Sequence, residues 1–293
     1  MANKQVIDIV NEKILEKMEQ GVNPWKKGWV MSGGFMVNRP YNYVTNKPYK
    51  GLNLALLDSG YYVSYKQLQK LGGKVKQGAK PYFVTYSKPT IYTTEAVNPD
   101  TEELEEIEKQ GWIMKYYWVY NLNDCEGYRP IKNRELPQPK EYNEVEAIEE
   151  ADGIIDNYIK RDGLTLHLLE QDQAYYRPSS HEVVLPMRNQ FDSSAEFYAT
   201  AFHELGHSTS RHLKRELGAR FGTEKYAKEE LVAEICAIYS MNELGIDECF
   251  NNNIAYLQSW AKHIKDKENK YFLSSAMSKA QKAFEYIFNL GTE

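Results

Sequence analysis

Ser193–Arg211 reads SSAEFYATAFHELGHSTSR, and this stretch decides how the second half of the chain folds. Ser193 followed three residues on by Glu196 is a capping box, the start signal of a helix. Inside that helix stands His203-Glu204-Leu205-Gly206-His207. Positions four apart share a helix face, so both imidazoles can aim at one ion, with Glu204 beside them as a base toward a metal-activated water. Catalytic zinc needs a third protein ligand and an open position. Glu230, in EELVAEICA on the next predicted helix, is the candidate. Glu234, one turn later, orients His203 or stands as the alternative ligand. Glu229 suits a solvated helix face. The expected cofactor is one Zn2+ per chain, with Mn2+ or another divalent metal possible.

Outward from this motif the C-terminal part reads as a helix over Val145–Lys160, a β-rich stretch, and three or more helices. The run His181–Leu185 is expected to be an edge strand that holds an extended substrate by strand addition. Tyr175, Tyr176 and Tyr198 are candidates for a phenol facing an oxyanion, although 23 tyrosines make packing the simpler role for each. The second long helix spans about Lys228 to Leu244 and closes on Gly245, and a last group covers Asn253–Leu290. His167, His181, His212 and His263 lack ligand spacing to the motif, and Cys236 reads as core.

The N-terminal part differs in character. Residues 1–90 hold 14 Lys+Arg against 5 Asp+Glu, whereas residues 135–293 hold 17 against 27. A basic part beside an acidic one makes an anionic ligand for the first part plausible. Val6, Ile9, Val10, Ile14 and Met18 give an amphipathic opening helix. From Trp25 to Tyr65, rings alternate with cations: Trp25, Tyr43 and Tyr49 among Lys26, Lys27, Arg39, Lys47 and Lys50, with Lys74 and Lys76 farther on. Phosphate neutralisation plus base stacking is what a single strand requires, and these ten residues are the DNA-contact candidates. A small β-rich domain also needs rings for its core. A short helix starts near Ser64. β-rich runs over Pro81–Tyr86, Thr90–Thr93 and Tyr116–Asn121 flank an acidic insert, TEELEEIEKQ, expected to be an exposed helical excursion.

The expected class is α+β: an N-terminal α+β domain (1–134), a Pro-containing linker (135–144), and a mainly helical metal domain with a small sheet (145–293). No apolar run is long enough to span a membrane, and three scattered cysteines suit a reduced, cytoplasmic setting.

The stretches ILEKMEQGVNPWKKGW, NRPYNYVTNKPYKGLN, VSYKQLQKLGGKVKQGAKPYFV and VYNLNDCEG, with FYATAFHELGHSTSR, KYAKEELVAEICA and KAQKAFEYI, resemble the ArdC-type antirestriction proteins of conjugative plasmids and mobile elements. The resemblance spans nearly the whole chain. It implies an N-terminal single-stranded-DNA-binding domain, a zincin-like C-terminal domain, and protection of incoming DNA from restriction. It places the motif histidines on His203 and His207, the glutamate base on Glu204, and the second acidic element on Glu229 to Glu234. The acidic Glu95–Gln110 insert departs from the family. Three readings follow: a DNA-binding protein with a zinc peptidase-like domain, a protection factor whose metal site is structural or vestigial, and a regulatory protease tethered to DNA that cleaves a protein substrate.

Overall fold

The computed structural model describes residues 5–20, 22–25, 27, 30–32, 35–97, 104–131, 144–218, 223–246 and 270–291. Lys26, most of the expected linker, His263 and the start of the last predicted group lie outside them.

The N-terminal region is mixed α+β. Helix α1 (Val6–Glu19) is followed by a β1 (Val30–Ser32) and β2 (Phe35–Val37) hairpin. Next come β3 (Pro40–Asn42), α2 (Leu52–Leu56), β4 (Gly60–Ser64), α3 (Tyr65–Lys70) and β5 (Lys74–Val75). Two long strands, β6 (Tyr82–Val97) and β7 (Leu104–Asn121), lead to β8 (Cys125–Glu126). A four-stranded sheet has the order β3-β4-β7-β6, with β3 parallel to β4 and the rest antiparallel. α3 begins where expected, because the Ser64 hydroxyl accepts from Gln67 N–H and the Gln67 side chain returns to Ser64 N–H.

From Leu104 onward the acidic insert is strand, not helix. Residues 104–110 are the start of β7, paired residue for residue with Ile91–Val97 of β6. Glu and Lys favour helix in isolation, but the facing run IYTTEAV is rich in β-branched and aromatic side chains and fixes its partner as strand.

The C-terminal region is mainly helical. α4 (Glu144–Asp162) leads to β9 (Thr165–Leu169), β10 (Tyr175–Arg177) and β11 (Glu182–Pro186), then α5 (Ser194–Ser208), α6 (Glu224–Leu244) and α7 (Phe272–Ile287). Ser193 caps α5 by accepting from Glu196 N–H, and the Glu196 carboxylate accepts from Asp192 N–H. α6 starts a turn earlier than expected because Thr223 caps it, and it ends on left-handed Gly245. In the small sheet β11 is central, antiparallel to β10 and parallel to β9. The expectation of an edge strand at His181–Leu185 is therefore corrected: both of its sides are already paired, and the exposed edge nearest α5 is β10.

The largest core joins both regions. Val10, Ile14 and Met18 of α1 and the Trp25 ring pack with Leu231, Ile235 and Ile238 of α6 and Met277, Ala280 and Phe284 of α7 in one cluster. The N-terminal sheet also has cores of its own, around Tyr43, Tyr61 and Leu68 and around Tyr49, Tyr62 and Val119.

Candidate metal centre

α5 and α6 pack closely at Gly206. A Cβ there would stand 3.2 Å from the Ala233 backbone and 3.4 Å from Cys236 Cβ, so the motif's glycine lets the two helices touch. This contact brings the acidic turn of α6 over the two imidazoles.

His203 Nε2 and His207 Nε2 lie 3.2 Å apart. Glu230 faces both, with one carboxylate oxygen 3.6 Å from each Nε2. One ligand atom from each of the three residues can be chosen so that all lie within 4.8 Å of one another. Each imidazole is also held from behind: His203 Nδ1 is 3.2 Å from Glu234 Oε2, and His207 Nδ1 is 3.4 Å from Glu229 Oε1. A carboxylate behind Nδ1 orients each ring so that Nε2 turns inward, the arrangement that metal-binding histidines use.

Glu229 is the residue that spacing missed. It is not solvated: Arg215 grips it through Nε and Nη2 at 2.8–3.2 Å, and the same guanidinium donates to Gly206 O and Thr209 Oγ1 at 2.7 Å. Arg215 thus ties the end of α5 to α6 and fixes the carboxylate behind His207. Only the adjacent acids of EELVAE hinted at this, because a neighbour 100° around the helix from Glu230 reaches the other imidazole.

Electrostatics at the centre favour a cation. Burial opposes ionisation of Glu229 and Glu230, yet hydrogen bonds from His207 and Arg215 to the first, and from His203 to the second, hold both below the ordinary carboxylate range. Burial pulls the other way on His203, but Glu230, Glu234 and Glu204 outweigh it and raise its pKa to about 10. Positive charge is stabilised where the two rings meet.

Glu204 is nearly buried and lines, with His203, His207 and Glu230, a cleft of about 460 Å³. The opposite wall is the β10 edge, including Tyr175 and Tyr176. Tyr198 is fully buried, bonded to Arg188 and Asp152, and does not line the cleft. Among the other histidines, His181 is buried between Asp162 and Tyr176, and His212 stacks on Tyr286. Cys236 is core.

The DNA-contact candidates scatter. Trp25 is 0% exposed with its indole N–H on Met277 Sδ, and Tyr43 and Tyr49 are buried in the sheet's cores. A ring without an open face cannot stack a base, so these three are corrected to packing. Lys27 is buried and donates to Pro24 O; burial, then the charge of Lys17, lowers its pKa to about 7. Arg39 pairs with Glu243 and Lys50 with Glu285, both across to the C-terminal helices. Part of the charge asymmetry thus joins the two regions. Lys47, Lys74 and Lys76 are exposed; Lys74 pairs with Glu126 and Lys76 donates to Asn123 O.

Residues 4–120 match the N-terminal domain of anti-restriction factor ArdC, and residues 154–277 match the zincin-like metallopeptidase family. Two proteins named DNA primase TraC from Escherichia coli are 34% and 32% identical over 96% and 95% of the chain, which spans only 20% and 27% of their length. The crystal structure of the antirestriction ArdC protein from plasmid R388 in its Mn(II)-bound form superposes with a TM-score of 0.70 at 25% identity, over 98% of both chains. Its metal-free form gives 0.63 at 26% identity over 99% of this chain and 100% of that one. The chain thus matches the ArdC N-terminal domain and a zincin-like metallopeptidase domain in that order, and its fold aligns from end to end with that of the ArdC protein of plasmid R388.

Proposed function

We propose that the chain is an antirestriction-type protein of a mobile element, with an N-terminal part (1–134) that binds single-stranded DNA and a zinc-dependent, peptidase-like C-terminal part (145–293), linked through 135–144 and working in the cytoplasm. The observation that carries this reading is the convergence of His203 Nε2, His207 Nε2 and Glu230, with a carboxylate behind each imidazole. Two imidazoles and one carboxylate form the donor set of catalytic zinc sites. The Mn(II) of the R388 protein supports a divalent ion and leaves manganese as the alternative.

A divalent ion held by His203, His207 and Glu230 would supply Lewis acidity and make a water in the cleft easier to deprotonate. The protein's own groups do the rest. Glu204, in the cleft beside the ligands, takes the water's proton and returns it to the leaving amine. The free edge of β10 offers its backbone to an extended peptide, and Glu229 and Glu234 keep the imidazoles in register. The likeness of residues 4–120 to the ArdC N-terminal domain supports the single-strand reading.

The test is metal analysis and a single-strand titration of the full chain, beside Glu204→Gln. Wild type should carry about one divalent ion and bind a single strand. Glu204→Gln should keep both properties and lose cleavage of peptides and protection of incoming DNA. A variant that still protects would establish the protection-factor reading, with the metal structural.

A further inference from the structure

We infer that the stem of the β6–β7 hairpin is the single-strand contact surface, formed by the rings of Tyr86, Tyr92 and Tyr117 with Lys88, Lys109 and Lys115. The inference rests on the single-strand reading above and names the surface it needs. Beyond the short pairing of β4 with residues 119–121, the outer part of β6 and β7 is a ribbon of two strands that, among the described residues, pair only with each other. Its register sorts the side chains onto two faces of opposite chemistry.

On one face lie Tyr86 opposite Lys115, Lys88 opposite Ile113, Thr90 opposite Gly111, and Tyr92 opposite Lys109, with Tyr117 nearer the sheet. The three rings and three lysines are exposed, and among the described residues none of these lysines has a carboxylate partner. The other face carries Ile91, Trp112, Tyr116 and Trp118, no lysine, and Glu106 and Glu108 toward the tip. Cations have therefore been placed on the tyrosine face alone. Neutralised phosphates beside open ring faces suit a single strand, whereas an apolar protein partner would be served by the opposite face.

Tyr92 is set for stacking. A Cβ at Gly111 would stand 2.7 Å from Tyr92 Cε1 and 3.2 Å from Cδ1, so the ring occupies the space that the glycine leaves open. Tyr92 is 49% exposed and Tyr86 45%, while Trp25, Tyr43 and Tyr49 offer no open face.

The experiment is a titration of the full chain with an oligo-dT single strand and with a duplex of equal length, at several salt concentrations. Tyr92→Ala should weaken single-strand binding about ten-fold or more, Tyr92→Phe should bind as wild type, and Gly111→Ala should weaken it by displacing the ring. Lys88, Lys109 and Lys115 changed together to Gln should lower the salt slope by about 2, at roughly 0.7 per phosphate contact. Trp112→Ala, on the opposite face, should change nothing. Circular dichroism melts matching wild type assign these losses to contact. If wild type binds the strand while the tyrosine and lysine variants match it, the hairpin assignment is wrong and the single-strand reading stands. If wild type ignores the strand, both fall. A preference for duplex, whose base faces are hidden, overturns the stacking surface.

Discussion

The α5–α6 pair and the segment from Asn23 to Lys50 both bury charge, and they dispose of it differently. Between α5 and α6, two imidazoles and the carboxylates of Glu204, Glu229 and Glu230 line one cleft, and His203, His207 and Glu230 turn a donor atom each toward one another. In the N-terminal segment each of three cations is settled singly: buried Lys27 on Pro24 O, half-buried Arg39 on Glu243, and exposed Lys50 on Glu285. Convergent polar groups beside an opening mark a site, whereas polar groups matched one to one across a packed boundary mark a joint. Both regions are acidic or basic and aromatic by composition, so only geometry separates them.

The comparison breaks most completely if the convergent donors prove to be another joint. His203→Ala should lose the bound metal, and His212→Ala, whose ring only stacks on Tyr286, should keep it. Elemental analysis after dialysis decides this; equal metal content in wild type and His203→Ala would remove the centre.

Next in size is the joint itself. Trp25 is fully enclosed against α7, so Trp25→Ala should lower unfolding free energy by about 3–5 kcal/mol in urea titrations. Single-strand affinity of the folded variant should not change. A loss of affinity at unchanged stability would return Trp25 to the DNA surface.

These two predictions also show what was legible in sequence. Periodicity put His203 and His207 on one face, and EELVAE put acids on the next helix, because helix geometry converts spacing into direction. Nothing local says which strand will pair with which. His181–Leu185 therefore read as an edge although β9 and β10 cover both its sides, and TEELEEIEKQ read as helix although from Leu104 onward the facing β6 made it strand. Ring-and-lysine composition in residues 25–50 carries no direction at all, so it could not tell Trp25 from a stacking platform. Arg215 lay outside any motif, and it is Arg215 that holds the partly buried Glu229 carboxylate behind His207.

The carboxylates behind the imidazoles sharpen the contrast within the site. Glu234→Ala and Glu229→Ala should each weaken metal binding roughly 10–100-fold without abolishing it. Isothermal titration of apoprotein measures both. Complete loss in Glu234→Ala beside retention in Glu230→Ala would exchange their roles and make Glu234 the ligand.

Lys27 gives the joint a pH signature. Its folded pKa of about 7 lies below the ordinary 10.5 because burial disfavours the charge. Between those values the unfolded chain holds a proton that the folded chain has lost, so this lysine makes stability rise with pH across the window, by up to about 1.4 kcal/mol per unit. Below pH 7 both states are protonated and the cost of the buried charge is constant. Lys27→Met should remove this slope. Urea titrations of both proteins at pH 7, 8 and 9 should show the variant's advantage shrinking as pH rises; a constant difference would mean Lys27 reaches water.

The smallest effect expected is that of the Lys50–Glu285 pair, and its size tests how far a matched charge at the boundary acts as glue. Nζ and Oε1 are 2.8 Å apart, but the lysine side chain is 55% exposed against 11% for the glutamate. Solvent screens such a pair and ordering the lysine costs entropy, so a double-mutant cycle of Lys50→Gln and Glu285→Gln should give a coupling of about 0.2–1 kcal/mol, falling as salt is added. Glu285 also accepts from Gln281 Nε2 at 3.1 Å, so Glu285→Gln alone disturbs a second bond, and the cycle rather than either single variant isolates the pair. A coupling well above this range, insensitive to salt, would show that the boundary excludes water more fully than the exposure of Lys50 indicates. A coupling of zero would leave apolar contacts such as Trp25 with Met277 as what holds the two regions together.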